Sequence, residues 1–170
     1  MKEGISGKAI YRKDYTAYPW NVEYLDLHFD IGVETTTVRA EMEFILKEGQ
    51  GSTQDIVLNG SDLEIVSISL NDRALDVNDY VIEGESLTIS GAPPRSVLKT
   101  EVKIHPASNS ALEGLYLSGE FLLTQCEAQG FRKITWFPDR PDVMTTYSVT
   151  LAAEKSGFPV LLSNGNRVDA

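Results

Sequence analysis

The residues best equipped for chemistry gather in one stretch, residues 124–142, "TQCEAQGFRKITWFPDRPD". It sets Gln125, the lone Cys126 and Glu127 close to Arg132, Lys133, Asp139 and Asp142, with Phe131, Trp136 and Phe137 between them. If the backbone is extended here, Gln125 and Glu127 point to one side and Cys126 to the other, because side chains alternate along a strand. An amide oxygen and a carboxylate facing a ligand together suit a primary ammonium. The carboxylate supplies charge, the carbonyl oxygen accepts a second proton, and each charge-assisted bond contributes about 1.5–3 kcal/mol. Glu127 is also placed to pair with Arg132 or Lys133, and the pattern leaves both readings open.

Other chemistries find fewer residues. A zinc site draws about three ligands from His, Cys and carboxylates, yet the chain holds two histidines and one cysteine and no H-E-x-x-H. Asp26, His28 and Asp30 imitate a ligand set along one side of a strand; on an acidic exposed face such a stripe is ordinarily solvated. His105 precedes Pro106, which restricts it to extended backbone at a strand end. Cys126 lacks a histidine nearby in sequence to lower its pKa, so it reads as a small packed hydrophobe rather than a nucleophile. Neither a G-x-S-x-G elbow nor a G-x-x-x-x-G-K-[ST] phosphate loop occurs.

The whole composition narrows the classes further. Fifteen basic residues against twenty-five acidic give a formal charge of −10 over 170 residues, which favours cationic ligands and opposes nucleic-acid backbones. No stretch approaches the roughly 18 apolar residues of a membrane helix, and the start, "MKEGISGKAIYRKDY", lacks the apolar centre of a secretory signal. A single cysteine forms no internal disulfide, in keeping with a reducing compartment. The expectation is a cytoplasmic protein with neither nucleic-acid nor membrane partners.

Those residues need a scaffold, and the patterning predicts an all-β one. Leu25, Leu27, Phe29 and Ile31 alternate with polar residues, as do Val38, Ala40, Met42, Phe44 and Leu46 after a short "GVET" connection. This is the period of strands with one buried face. Further strands are expected over residues 55–58, 63–70, 80–82, 87–89, 98–104, 115–124, 134–137, 145–151 and 158–162. "LNGSD", "NDRA", "EGES" and "GAPPRS" supply turns between them. No long amphipathic helix is expected, so the fold class is a β-sandwich or saddle-like assembly of short, mostly antiparallel strands. Asn164-Gly165 signals a tight hairpin with only a short return strand. The expectation is that residues 1–170 form a single β domain excised from a longer protein, since an uncovered edge is a liability.

With those residues in view, the chain resembles the N-terminal β domain of the aminopeptidase N family of zinc metallopeptidases, in its bacterial and plant-type branch. The likeness runs from "YRKDY" through "VEYLDLHFD" and "LNGSDLEIVSISLND" to "LEGLYLSGEFLLTQCEAQGFRKITWFPDRPDV" and "FPVLLSNGN". The resemblance implies a saddle-shaped domain that packs in cis on a thermolysin-like catalytic domain and closes one side of its cleft. Zinc, the H-E-x-x-H helix and the G-x-M-E-N loop belong to that following domain, so this chain carries no cofactor and no catalytic residue of its own. It implies that Gln125 and Glu127 line the first substrate pocket, the glutamate gripping the α-ammonium of a peptide. It also implies a non-proline cis peptide at Glu127-Ala128, which adds Ala128 to the site. "WFPDRP", residues 136–141, stands where many members have P-C-F-D-E-P. Arg132, Asp139 and Asp142 are expected to hold the substrate loop against the neighbouring domain; ordinary surface ion pairing is their plainer reading. The competing function is a self-contained acidic β-sandwich module that binds a basic partner.

Overall fold

A computed structural model describes residues 11–169. Residues 1–10, on which most of the signal-sequence reading rests, and Ala170 lie outside the described residues. Eleven strands follow one another: β1 (Trp20–Ile31), β2 (Thr36–Leu46), β3 (Gln54–Asn59), β4 (Glu64–Leu70), β5 (Arg73–Ala74), β6 (Tyr80–Glu83), β7 (Ser86–Ala92), β8 (Arg95–Ile104), β9 (Gly114–Ser118), β10 (Phe121–Gln125) and β11 (Thr146–Ala153). They form a six-stranded sheet in the order β11-β1-β2-β8-β4-β5, a three-stranded sheet β3-β7-β6 and a two-stranded ribbon β9-β10. Every pairing is antiparallel except that of β11, which runs parallel to β1 along the edge of the large sheet. The only helices among the described residues are three single 3₁₀ turns, so none is long or apolar enough to cross a membrane.

Alternation sorts the large sheet into two chemically distinct faces. Val38, Ala40, Met42 and Phe44 of β2 and Leu98, Val102 and Ile104 of β8 point into one core with Ile56 and Leu58 of β3 and Leu87 and Ile89 of β7. The opposite face carries a ladder of cross-strand ion pairs. Arg39 bridges Asp30 at 2.7 Å and Glu101 at 3.6 Å, Lys99 meets Glu41 and Asp72, and Lys103 meets Glu64. Asp30 is held below the usual carboxylate range, first by its contact with His28 and then by Arg39.

The strand expectations meet four corrections. β1 begins at Trp20 rather than Leu25, because a bulge between Val22 and Tyr24 shifts the register and breaks the alternation that sequence reading relies on. The single strand expected over residues 115–124 is a hairpin. Gly119, with φ +61°, and Glu120 form a two-residue loop that returns the chain onto itself, pairing Ser118 with Phe121, and a first loop residue with positive φ is readily supplied by glycine.

Residues 134–137 and 158–162 are not strands. The former is a buried connector joined to the sheets by one isolated bridge, Asn59 to Phe137, and by a 3.3 Å hydrogen bond between the Thr135 and Thr100 hydroxyls. Its apolar run reflects burial on all sides, which periodicity does not separate from a core strand. In the latter, Val160 and Leu162 are exposed, and no hairpin forms at Asn164-Gly165; the Asn164 amide donates to the Tyr147 hydroxyl at 2.6 Å.

Candidate functional site

The ribbon delivers the candidate residues. Gln125 is the last residue of β10 and pairs across to Gly114, the first of β9. There the chain leaves the extended conformation and turns through residues 126–130, closed by a 2.8 Å bond from the Gly130 N–H to the Cys126 carbonyl. The turn doubles back so tightly that a Cβ on Gly130 would lie 2.6 Å from the Gln125 carbonyl oxygen and 3.0 Å from the Cys126 Cα. A 3₁₀ turn, Phe131–Lys133, then brings Lys133 over Gly114, where a Cβ would stand 2.6 Å from that of the lysine. The candidate turn is thus seated on the base of the ribbon at two points where only glycine fits.

Gln125, Glu127 and Ala128 are all exposed on this turn, and the Glu127-Ala128 peptide is cis. The expectation that an extended backbone aligns Gln125 with Glu127 is corrected: the strand ends at Gln125, and the turn brings the two residues together instead. The Gln125 amide nitrogen donates to the Glu127 backbone carbonyl at 3.1 Å. That bond occupies a donor of the carboxamide and leaves its oxygen as an acceptor on the turn that also carries the Glu127 carboxylate.

Neither basic neighbour takes up Glu127. Arg132 is committed to Asp139: its backbone N–H and Nε both donate to Oδ2 at 3.1 Å, and Nη2 donates to the Asp139 carbonyl at 3.2 Å. Its Nη1 reaches Glu85, also at 3.2 Å. Lys133 pairs with Asp62 on the β3–β4 connection. Both side chains of the Arg132–Asp139 pair are largely buried, at 17% and 12% exposure, so this staple differs from a solvated surface pair. It ties the exit of the turn to the connector that follows.

Asp142 serves another part of the molecule. Its carboxylate accepts two bonds from Arg140, at 2.8 and 2.9 Å, one from the Tyr15 hydroxyl and one from the Tyr18 N–H, both at 3.0 Å. Arg140 also donates to the Thr16 carbonyl at 2.7 Å and lies over the Tyr15 and Tyr18 rings. These bonds hold Asp142 well below the usual carboxylate range, the Arg140 contact foremost. The cluster clamps residues 15–18 beside the sheets, and none of its hydrogen bonds reaches the 125–130 turn. The roles of Arg140, Gly114 and Gly130 escaped the sequence reading. The available signals were the Arg-x-Asp spacing of residues 140–142 and a glycine directly after the polar run of the turn.

The remaining candidates resolve as structure. Cys126 is half-buried against the core, and burial, reinforced by the charge of Asp139, pushes its thiol up and away from a reactive thiolate. His28 bonds Asp30 at 3.2 Å and Asp26 accepts from Ser148, while His105 turns its Nδ1 to the Glu34 carbonyl at 3.1 Å. Among the described residues no group of three or more His, Cys, Asp or Glu side chains is arranged to hold a metal.

Comparison with known proteins identifies the family and the fold. Residues 21–170 match the family described as the Peptidase M1 N-terminal domain. Aminopeptidase N of Caulobacter vibrioides is 47% identical over 161 residues, and that of Escherichia coli 44%; each match covers 95% of this chain and 18% of the relative. The chain therefore spans less than a fifth of the curated relatives it matches. Among solved structures, Legionella pneumophila aminopeptidase A in complex with aspartic acid superposes with a TM-score of 0.82 at 30% identity, covering 90% of this chain and 18% of that one. Leukotriene A4 hydrolase of Saccharomyces cerevisiae shares the fold at a TM-score of 0.67 and 16% identity, over 86% of this chain and 26% of that one. On this evidence the chain belongs to the Peptidase M1 N-terminal domain family.

Proposed function

We propose that residues 1–170 are the N-terminal β domain of a zinc aminopeptidase, and that they form one wall of its active-site cleft. The observation that carries the reading is the turn after β10, which exposes the Glu127 carboxylate and bonds the Gln125 amide nitrogen to the Glu127 backbone carbonyl, so that one turn presents both side chains, with Glu127 taken up by no basic partner among the described residues. A primary ammonium is the ligand that satisfies both. A carboxylate and an amide oxygen accept two of its protons, and the negative charge opposes its own. Selectivity for a free amino terminus follows, since an internal peptide brings no ammonium and would leave the carboxylate unpaired in an enclosed site. The Legionella relative was solved with aspartic acid, an amino acid bearing such an ammonium.

Peptide hydrolysis itself belongs to a catalytic polypeptide that continues in cis, where zinc polarises a carbonyl and activates water. This chain contributes no ligand to that metal. Its residues bind and orient: Glu127 anchors charge, the Gln125 oxygen fixes the direction of the ammonium, and Ala128 borders the same turn. Arg132 and Asp139 hold the turn's exit in place. The domain acts in the cytoplasm on peptide amino termini, with neither nucleic acid nor membrane as partner.

Two measurements test the reading. The reading frame that encodes the chain should continue into a segment containing H-E-x-x-H; a stop directly after Ala170 would leave the acidic-module reading in its place. The purified chain should release no aminoacyl reporter with or without added zinc, whereas the full-length protein should do so. Zinc-dependent turnover by the chain alone would refute the division of labour.

A further inference from the structure

Besides a defined shape, the turn that carries Gln125 and Glu127 needs a fixed place relative to the sheets. Arg132 and Asp139, seven residues apart, close the segment after the turn on itself, and the guanidinium reaches beyond that segment to Glu85 at 3.2 Å. Further ties run to the connection between β3 and β4, residues 60–63. Phe137 exchanges backbone bonds with Asn59 at 2.8 and 3.1 Å, and the Ser61 N–H donates to the Arg132 carbonyl at 2.9 Å. The connection is itself firmly seated: it leaves β3 just after the fully buried Leu58, and a Cβ on Gly60 would fall 2.3 Å from the Trp136 ring. Lys133 is the side chain that spans these supports. Its Cβ lies against Gly114 at the foot of β9, its ammonium donates to the Asp62 carboxylate and, at 3.5 Å, to the Ser61 hydroxyl, and its side chain is 15% exposed. Asp62 stands at φ +58° with its own side chain 81% exposed. A left-handed aspartate on an open connection persists where a contact holds it, and the lysine supplies that contact.

On the ammonium reading above, we propose that Lys133, acting through Asp62, is a positioning residue that fixes where the Glu127 carboxylate stands for an incoming amine. The backbone ties at Asn59 and Ser61 hold the exit of the turn at Phe137 and Arg132. Lys133 adds a bond between charges at the point where that exit crosses the base of the ribbon. Its own N–H donates to the Gly130 carbonyl at 3.1 Å, and Gly130 packs directly on the backbone of Gln125 and Cys126. A shift of the lysine is therefore passed to the glycine and from there to the residues on either side of Cys126. Misplacing a binding group by about 1 Å lowers turnover by up to about a hundredfold. An ion pair open to solvent on one side contributes little to folding, so the loss of this one should register in amine binding rather than in stability.

The test uses the full-length protein and two inhibitors, leucine hydroxamate and the same compound with hydrogen in place of its amine. Lys133→Met keeps an aliphatic stem against Gly114 and removes the ammonium. Asp62→Asn keeps a residue that tolerates a left-handed backbone and removes the charge. Each should raise the Ki of leucine hydroxamate about five- to tenfold and leave that of the amine-free compound within about twofold. The double variant should be no worse than Lys133→Met alone, because the same bond is lost in either case. The melting temperature should fall by about 2–4 °C or less. An unchanged Ki for leucine hydroxamate in both single variants, an equal rise for the two inhibitors, or additive losses in the double variant would overturn the proposal. Glu127→Ala, measured alongside, separates the two readings. If it raises the leucine hydroxamate Ki while the Lys133 and Asp62 variants do not, the positioning role fails alone; if it leaves both inhibitors unaffected, the ammonium reading fails and takes the positioning role with it.

Discussion

Replacing Glu127 with alanine in the full-length protein offers the sharpest test of the ammonium site. The structure separates the two effects that a mutation usually mixes. Within the domain the Glu127 carboxylate is exposed, and Arg132 and Lys133 are engaged elsewhere, so its loss should change folding stability by less than about 0.5 kcal/mol. In the complex, the variant removes one charge-assisted bond worth about 1.5–3 kcal/mol, which corresponds to a loss of about ten- to 150-fold in kcat/KM. Glu127→Gln keeps an acceptor oxygen without the charge and should fall near the lower end of that range. Cys126→Ser alters the thiol between them, half-buried against the core, and should stay close to the parent value. The assay is hydrolysis of an aminoacyl reporter, paired with inhibition by an amino acid amide, whose Ki should rise by the same factor because it presents the same ammonium. A Glu127→Ala enzyme within threefold of the parent in both readouts, with its melting temperature unchanged, would refute the reasoning.

The glycine seat and the Asp142 clamp give two further predictions. Gly130→Ala drives a Cβ into backbone atoms of Gln125 and Cys126 that have little room to yield. It should cost about 1–3 kcal/mol by denaturant midpoint and, by displacing the turn, should reduce kcat/KM more than that stability loss explains. Asp142→Asn removes the charge from the contact with Arg140, Tyr15 and Tyr18, and should lower stability by about 1–3 kcal/mol, or about 2–4 °C per kcal/mol in a chain of this size. The Asp142 carboxyl is depressed in the folded state, so its contribution is fully present above the unfolded carboxylate value near about 3.9 and fades as pH falls toward the lowered folded value. The gap in melting temperature between parent and variant should therefore hold from neutral pH to about pH 5 and narrow below about pH 4; a gap that widens in acid would contradict the assignment.

Much of the architecture was legible in the chain because it follows from local rules. Alternation along residues 25–31 and 38–46 marks two strands with one buried face, and Asn71-Asp72 in "NDRA" carries the positive φ angles of the β4–β5 turn. The chemical character of residues 124–142, with Gln125 and Glu127 two apart, was equally visible. Tertiary packing decided what lies beyond nearest neighbours. Whether Arg132 would pair with Glu127 or with Asp139 depends on a turn whose tightness comes from Gly130 meeting the backbone of Gln125, a contact that leaves no periodic trace. Asp142 joined residues 15–18, more than 120 positions away, and the apolar run of residues 134–137 became a buried connector rather than a strand. Side-chain type and spacing determine which local conformations are cheap, whereas ion-pair partners and the exposure of a carboxylate are settled only when distant segments close on one another and exclude water.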